Sequence, residues 1–254
     1  MCFVGDSFVA GVGDSEFLGW AGRLATGSPA TALTAYNLGV RRQTSSDVRG
    51  RWRDECAQRL PAGVDRRVVF SFGVNDTTVE GGAPRVDPHV SVENLAAMLA
   101  ECAASGWRAL VVGPPPIDDA DQNARTAALD RRFAAVCRSA GVEYVPVLDA
   151  LVADPVWMQQ VRDGDGAHPD SGGIPDARGA GAPRVGGVDD HGPIRGPVTF
   201  RGGTALPMLR VCCRPSIPGP HVSGAPDPSQ TGTRSSSGRT RCTCRTRCGR
   251  WGAD

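Results

Sequence analysis

Residues 2–7 are Cys2-Phe3-Val4-Gly5-Asp6-Ser7, an apolar run that ends in a glycine, an acid and a serine. A run this short and this apolar, followed by a turn, is typical of a buried strand in a parallel sheet. Gly5 permits a tight turn. Ser7 then follows the carboxyl end of the strand, where ligands bind in open α/β sheets. The stretch therefore predicts an α/β fold with Ser7 at its ligand-binding edge.

The rest of the first 173 residues alternates strand and helix patterns. Further strand-like apolar runs lie at 35–38, 68–72, 109–112 and 144–147. Helical patterns with cap or stop residues lie between them at 44–60, 91–104 and 120–140. This βαβα order predicts a doubly wound parallel sheet with helices on both faces.

Two more polar turns follow predicted strands. Gly39 comes after the second strand and Asn75 after the third, as Ser7 comes after the first. Because parallel strands end at one edge of the sheet, we expect these three residues to converge. Far downstream, residues 165–169 (Asp-Gly-Ala-His-Pro) supply a histidine with a carboxylate three positions earlier. A serine becomes a good nucleophile when a positioned base takes its proton, so the pattern predicts a serine–histidine pair.

These four blocks, in this order, resemble the SGNH/GDSL hydrolase family. The family is named from a Ser, a Gly, an Asn and a His, one in each block, and the matching positions are Ser7, Gly39, Asn75 and His168. The resemblance covers residues 2–173. It implies a flavodoxin-like three-layer sandwich and a serine ester hydrolase of the esterase or lipase type that needs no cofactor.

The resemblance also implies a catalytic triad. Ser7 attacks the acyl carbon of an ester, and His168 acts as general base and then as general acid. Asp165 orients the imidazole and stabilises its cation. Asp163 and Asp170 are nearby alternatives, and Asp165 is preferred because it matches the Asp-x-x-His spacing of the family.

An oxyanion hole is implied in the same way. The N–H groups of Ser7 and Gly39 and the side-chain amide of Asn75 would stabilise the charge that develops on the carbonyl oxygen. Taken alone, Gly39 is a plain turn glycine, and Asn75 would form an Asx turn that Asp76 could form equally well. Asp6 is expected to shape the nucleophile turn through local hydrogen bonds. A short-chain ester is the expected substrate, since no large apolar lid segment is visible.

Two other readings stay open. A metal-dependent phosphoesterase could use Asp6, Asp76, Asn75 and His168 as ligands, although the chain has four histidines in all. Apart from His168, the histidine that lies before the C-terminal region is His89, which is expected in an exposed polar loop. Alternatively, the chain is an inactive family member with an altered C-terminus.

The composition changes near residue 174. Residues 174–254 contain 24 Pro and Gly in 81 positions, with 12 Arg against 5 acids, whereas residues 1–173 contain 16 Arg against 22 acids. Without an apolar stripe, such a segment buries too little surface to offset the entropy of ordering. We expect a hydrolase domain at 1–173 without its usual last helix. We expect the tail at 174–254 to be disordered. It would be an aberrant extension of the kind that a frame shift near Gly173 produces.

Composition limits partners and compartment. Cys2, Cys56, Cys102 and Cys137 fall in apolar patterns and are expected to be buried free thiols, as in a reducing compartment. No charged leader with an apolar run is visible, so we expect a cytoplasmic protein without a membrane span. The cysteines beyond residue 211 lack zinc-site spacing, and the arginines from 239 to 250 predict no specific nucleic-acid partner. The expected partner is a small ester; the sequence does not decide the oligomeric state.

Overall fold

The computed structural model describes residues 1–28 and 33–172. Its strands are β1 (Cys2–Gly5), β2 (Tyr36–Gly39), β3 (Arg67–Ser71), β4 (Val79–Glu80), β5 (Ala83–Pro84), β6 (Arg108–Val112) and β7 (Glu143–Val145). Its α-helices are α1 (Ser7–Ala10), α2 (Gly19–Gly27), α3 (Ser45–Ala57), α4 (Pro88–Ala104), α5 (Ala120–Ala140), α6 (Leu148–Val152) and α7 (Pro155–Asp163). A single 3₁₀ turn, Asn75–Thr77, follows β3. The predicted tail at 174–254 lies outside the described residues.

Five of the strands form one parallel sheet in the order β2-β1-β3-β6-β7. In its register Gly5 lies opposite Gly39 on one side and Ser71 on the other. The turns after β1, β2 and β3 therefore leave the sheet at the same edge. The short strands β4 and β5 form a separate antiparallel pair.

The core lies on both faces of this sheet. Val4 and Phe70 belong to the cluster that packs against α3, α4 and α5, together with the fully buried Trp52. Phe3 and Val69, their neighbours along the strands, pack on the opposite face with α1 and α2. A third cluster joins α6 and α7 to the carboxyl end of the sheet. The doubly wound three-layer sandwich predicted from the sequence is confirmed.

The central helices follow their predicted patterns, with differences at their ends. Helix α5 has the predicted bounds, and Gly141, in the left-handed conformation with φ 66°, caps its C-terminus. Helix α3 begins after Thr44, whose side chain and that of Asp47 form a capping box. It ends at Ala57 instead of Leu60. Strand β7 ends at Val145, before Pro146, which has no N–H to donate to a ladder.

Helix α4 begins three residues earlier than predicted. The Asp87 side chain accepts the His89 N–H at 2.7 Å and caps the helix, while Pro88 fits the first turn because no N–H is needed there. His89 therefore lies in a helix, and the prediction of a loop is wrong. Its side chain is exposed as expected, with Nδ1 3.4 Å from Glu93 Oε1.

The four cysteines expected in the core are all free and buried, as predicted. Among the residues that the structure describes, no helix is both long and apolar enough to cross a membrane.

Candidate active site

Ser7 is the first residue of α1, directly after the turn that ends β1. Its neighbour Asp6 caps this short helix, because Asp6 Oδ1 accepts the Phe8 N–H at 3.0 Å. Ser7 is nine-tenths buried, as is Asp6. The expected role of Asp6 in shaping the turn is confirmed by this hydrogen bond.

Asp165 binds His168 through both of its carboxylate oxygens. Oδ2 lies 2.7 Å from His168 Nδ1, and Oδ1 accepts the His168 backbone N–H at 2.8 Å. Partial burial disfavours the charge on Asp165, but these hydrogen bonds and one from the Ala167 N–H outweigh it and lower its pKa to about 2. An ionised Asp165 therefore fixes both the position and the tautomer of the imidazole, with the proton on Nδ1.

The two alternative carboxylates bind elsewhere. Asp163 Oδ1 accepts from Gln159 at 2.7 Å, one turn back along α7. Asp170 Oδ1 accepts the Gly172 N–H at 2.8 Å. Asp165 is the one of the three whose carboxylate meets the His168 ring.

The loop after α1 holds His168 against the nucleophile turn. The Val12 N–H donates to Ser7 O at 3.1 Å. The next residue, Gly13, has φ 89° and leaves no space for a side chain, since a Cβ there would lie 2.6 Å from Pro169 O and 3.0 Å from His168 Cβ. The Phe8 ring lies 4.7 Å from the imidazole, centroid to centroid. These contacts place His168 beside the segment that carries Ser7, without a hydrogen bond between the two side chains.

The second ring nitrogen of His168 is the one that a base would use. Nε2 is buried and has no hydrogen-bond partner among the described residues. A buried nitrogen without a partner costs free energy, and a catalytic role is one of the explanations for such an atom in a folded protein.

Asn75 lies at the start of the 3₁₀ turn after β3, at the same edge of the sheet as Ser7. Its Nδ2 donates to the backbone carbonyl of Gln43 at 3.0 Å. A primary amide carries two N–H groups, so this bond leaves the second one available, and the oxyanion role of Asn75 stays a prediction. Arg42, the residue before Gln43, has φ 63°, a left-handed conformation that is unusual for a residue with a side chain.

Gly39 lies at the end of β2, against the backbone of α1. A Cβ at this position would lie 2.1 Å from Ala10 N, so the close approach requires glycine. Its N–H donates to Asn37 Oδ1 at 3.0 Å, and Asn37 Nδ2 in turn donates to Val9 O at 2.7 Å. The packing explains the glycine without catalysis. The oxyanion role of Gly39 stays a prediction, and it requires its N–H to leave Asn37.

Asp6 and Asp76 are two buried carboxylates beside the site, each with one oxygen that has no hydrogen-bond partner among the described residues. Burial raises the pKa of Asp6 to about 7, and the charge of Asp76 adds to this while the Phe8 N–H opposes it. Burial also raises the pKa of Asp76, against a 2.7 Å hydrogen bond from the Ser45 N–H. Within the described ranges no three His, Cys, Asp or Glu side chains converge as metal ligands.

Sequence reasoning did not identify Phe8, Asn37 or Gln43 as parts of this site. Asn37 precedes Gly39 by two residues, a spacing that is typical of an Asx turn. The hydrogen bond from the Gly39 N–H to the Asn37 side chain could therefore have been predicted. The contacts of Phe8 with His168 and of Gln43 with Asn75 join segments more than 30 residues apart, and no local pattern marks them.

Comparison with protein-family models gives one match. The model described as the GDSL-like lipase/acylhydrolase family matches residues 3–173, about two thirds of the chain. None of the curated protein sequences compared with the chain matches it significantly.

Solved structures with the same fold include hydrolases of this family. A lipase/acylhydrolase from Enterococcus faecalis is 22% identical with a TM-score of 0.56, over 68% of this chain and 88% of the other. An acetylxylan esterase from Geobacillus stearothermophilus is 16% identical with a TM-score of 0.55, over 68% and 87%. A member of the G-D-S-L lipolytic family from Veillonella parvula is 16% identical with a TM-score of 0.54, over 68% and 90%. At these identities the likeness supports the fold.

Proposed function

The chain belongs to the GDSL-like lipase/acylhydrolase family, and from that membership we propose that it is a serine esterase that cleaves short-chain carboxylic esters through an acyl-enzyme. The observation that carries the proposal is the His168 ring. Its Nδ1 lies 2.7 Å from the Asp165 carboxylate. Its Nε2 is buried and has no partner among the described residues. The ring itself lies against Phe8, the second residue of the helix that begins with Ser7.

In the proposed first step, His168 Nε2 takes the Ser7 proton as Oγ bonds to the acyl carbon. The imidazolium that forms is stabilised by Asp165, which is already ionised. His168 then gives the proton to the departing alcohol, and the C–O bond of the ester breaks. In the second step, His168 takes a proton from water as the water oxygen bonds to the acyl carbon. It then returns the proton to Ser7 Oγ as the acyl–Oγ bond breaks, which releases the carboxylic acid.

The carbonyl oxygen becomes an oxyanion in both steps. The free N–H of Asn75 and the Ser7 N–H are the donors that we propose for it, and each such donor typically contributes a factor of about 10²–10³ in rate. Gly39 would join them once its N–H leaves Asn37 Oδ1 and donates to the oxyanion.

The size of the acyl group is proposed from two lines of support. The acetylxylan esterase of the same fold acts, by its name, on an acetyl ester. In the described chain, the site is bordered by the short α1 and by the loop at Gly13, which packs directly on His168 and Pro169. We therefore propose a short acyl group such as acetyl, because these close contacts border the site.

The test is a substrate series with the full-length chain: nitrophenyl acetate, butyrate and octanoate, and nitrophenyl phosphate. We expect hydrolysis of the acetate, slower hydrolysis as the acyl chain lengthens, and full activity after treatment with EDTA. Hydrolysis of the phosphate, lost with EDTA, would overturn the proposal in favour of metal-dependent phosphoester chemistry. Preference for the octanoate would keep the serine hydrolase and overturn the short-chain specificity.

A further inference from the structure

Arg51 lies on the sheet-facing side of α3 and reaches the carboxyl ends of two strands. Its Nη2 donates to Gly5 O at 3.0 Å and to Leu38 O at 2.9 Å. Its Nε donates to the side-chain oxygen of Gln43 at 2.5 Å. Glu55, one turn later on the same helix, accepts from Nη1 at 3.2 Å and holds the guanidinium in place.

The two carbonyls belong to the turns that carry proposed site residues. Gly5 O also accepts the Val40 N–H at 3.0 Å, so the nucleophile turn and the end of β2 share one acceptor. The Leu38 carbonyl is part of the same planar peptide unit as the Gly39 N–H. A bond from Arg51 to Leu38 O therefore fixes the plane in which that N–H points.

The hydrogen bond from Arg51 to Gln43 connects Arg51 indirectly to Asn75. Arg51 holds the Gln43 side chain, while the Gln43 backbone carbonyl accepts from Asn75 Nδ2 at 3.0 Å. This turn includes the left-handed residue Arg42. It is therefore a strained segment that needs an external restraint to keep one geometry.

We propose that Arg51 is a positioning residue that fixes the nucleophile turn, the Gly39 peptide and the Asn75 amide relative to one another. The proposal rests on the proposed ester hydrolysis, since its value lies in preorganising donors for the oxyanion. A guanidinium suits the task because its five N–H groups lie in one plane, and here they serve four acceptors at once. A lysine at this position has three N–H groups on one nitrogen and could not bind all four.

The test compares Arg51→Met and Arg51→Lys with Arg53→Met. Arg53 is a matched control on the same helix: its Nη1 donates to Glu101 O at 3.4 Å and its guanidinium lies 5.5 Å from the Trp107 ring, away from the site. The full-length variants are assayed on nitrophenyl acetate, with kcat expressed per site titrated by a serine-directed phosphonate. This correction removes any loss that comes from a smaller folded fraction.

We expect Arg51→Met to lower kcat per titrated site about 10- to 100-fold, part of what the loss of a whole oxyanion donor costs. KM should stay within about threefold, because the donors meet the oxyanion mainly in the transition state. Arg51→Lys should fall between Arg51→Met and wild type, and Arg53→Met should equal wild type. A kcat per site that is unchanged in Arg51→Met, or lowered equally in Arg53→Met, would overturn the proposal.

Amide hydrogen exchange separates this proposal from the proposed function. Arg51→Met should speed exchange at residues 38–43 and leave α5 unchanged, whereas Arg53→Met should change neither. If the wild type hydrolyses no ester, the proposed function fails, and exchange alone decides whether Arg51 fixes these turns. Unchanged exchange at 38–43 would then reject the positioning role.

Discussion

The ring of Phe8 lies against the imidazole of His168, with their centroids 4.7 Å apart and their planes inclined by 39°. Phe8 follows Ser7 in the sequence, so the short helix that presents the predicted nucleophile also packs against the predicted base. The Phe8 side chain is itself buried in the cluster that contains α6 and α7. This aromatic contact is therefore one of the contacts that position the base relative to the nucleophile, beside the hydrogen bonds from Asp165 and the packing of Gly13.

We predict that Phe8→Leu lowers kcat for nitrophenyl acetate about tenfold, because a shift of about 1 Å at a catalytic group can cost up to 10²-fold. Phe72→Leu is the matched control. Phe72 is equally buried but packs on Phe70 and Phe133, in the other cluster. Both variants should lose similar stability in urea unfolding. Equal kcat in the two variants would show that the Phe8–His168 contact does not position the base.

Asp165→Asn should lower kcat by at least about 10², because the amide cannot stabilise the imidazolium and can hold the wrong tautomer. Asp163→Asn is the control, since that carboxylate binds Gln159 instead. The pKa of Asp165, about 2, means that it stays ionised above about pH 4. Any loss of activity between pH 5 and 7 should therefore come from another group. A large loss in Asp163→Asn with little in Asp165→Asn would reassign the third member of the triad.

Asp6 predicts a pH dependence of stability. Its pKa is raised to about 7 by burial, with the charge of Asp76 adding, so the folded protein holds a proton that the unfolded chain releases near pH 4. Stability from this group is fully present below pH 4 and is lost as the pH rises through 7, by at most about 4 kcal/mol. The charged groups nearby are Asp76, Arg85 and Arg51. The charge of Arg85 opposes the rise in the pKa of Asp76, and Arg51 donates to Gly5 O.

The measurement is urea unfolding of wild type and Asp6→Asn between pH 5 and 8. The amide keeps an oxygen for the Phe8 N–H and has no charge to bury. The difference in unfolding free energy, variant minus wild type, should therefore rise with pH. If the unfolding free energies of wild type and Asp6→Asn change with pH in the same way over this range, Asp6 does not change its protonation there.

Phe17 should be a position where glycine stabilises the fold. It is 89% exposed, and its φ of 58° lies in the left-handed region. Its loop is held by Asp14, whose carboxylate accepts the N–H groups of Glu16 and Gly19 at 3.0 and 2.7 Å. A residue with a Cβ in this region costs roughly 1 kcal/mol relative to glycine.

We expect Phe17→Gly to raise the free energy of unfolding by up to about 1 kcal/mol, whereas Phe17→Ala keeps the strain and should not. Thermal and urea unfolding of both variants would measure this. A lower stability for Phe17→Gly than for Phe17→Ala would mean that the loop relieves the strain in another way.

The strands and long helices could be predicted because each has its own local pattern. The placement of Ser7 and Asn75 at the sheet edge could be predicted because parallel strands end together. The pairing of Asp165 with His168 was implied by the family resemblance, whose Asp-x-x-His spacing it matches. Helices α6 and α7 were not predicted. They are five and nine residues long, too short for an amphipathic period to stand out.

The contacts that fix the site's geometry could not be predicted from the sequence. Arg51 is one of several arginines on a polar helix, and only the fold shows that it reaches Gly5 and Leu38. The family resemblance implied an oxyanion donor at Gly39, whereas in the structure the Gly39 N–H donates to Asn37 Oδ1. Such cross-strand and helix-to-loop contacts depend on tertiary packing, which no spacing rule encodes.

The central claim is that Ser7 is the nucleophile, and covalent labelling tests it most directly. The full-length chain is treated with a serine-directed phosphonate, digested and analysed by mass spectrometry beside Ser7→Ala and the exposed control Ser15→Ala. We expect one phosphonate on the peptide that contains Ser7 in wild type and Ser15→Ala. Ser7→Ala should give none and should lose activity on nitrophenyl acetate by up to about 10⁶-fold. A label on another residue, or more than a few per cent of activity in Ser7→Ala, would contradict the account.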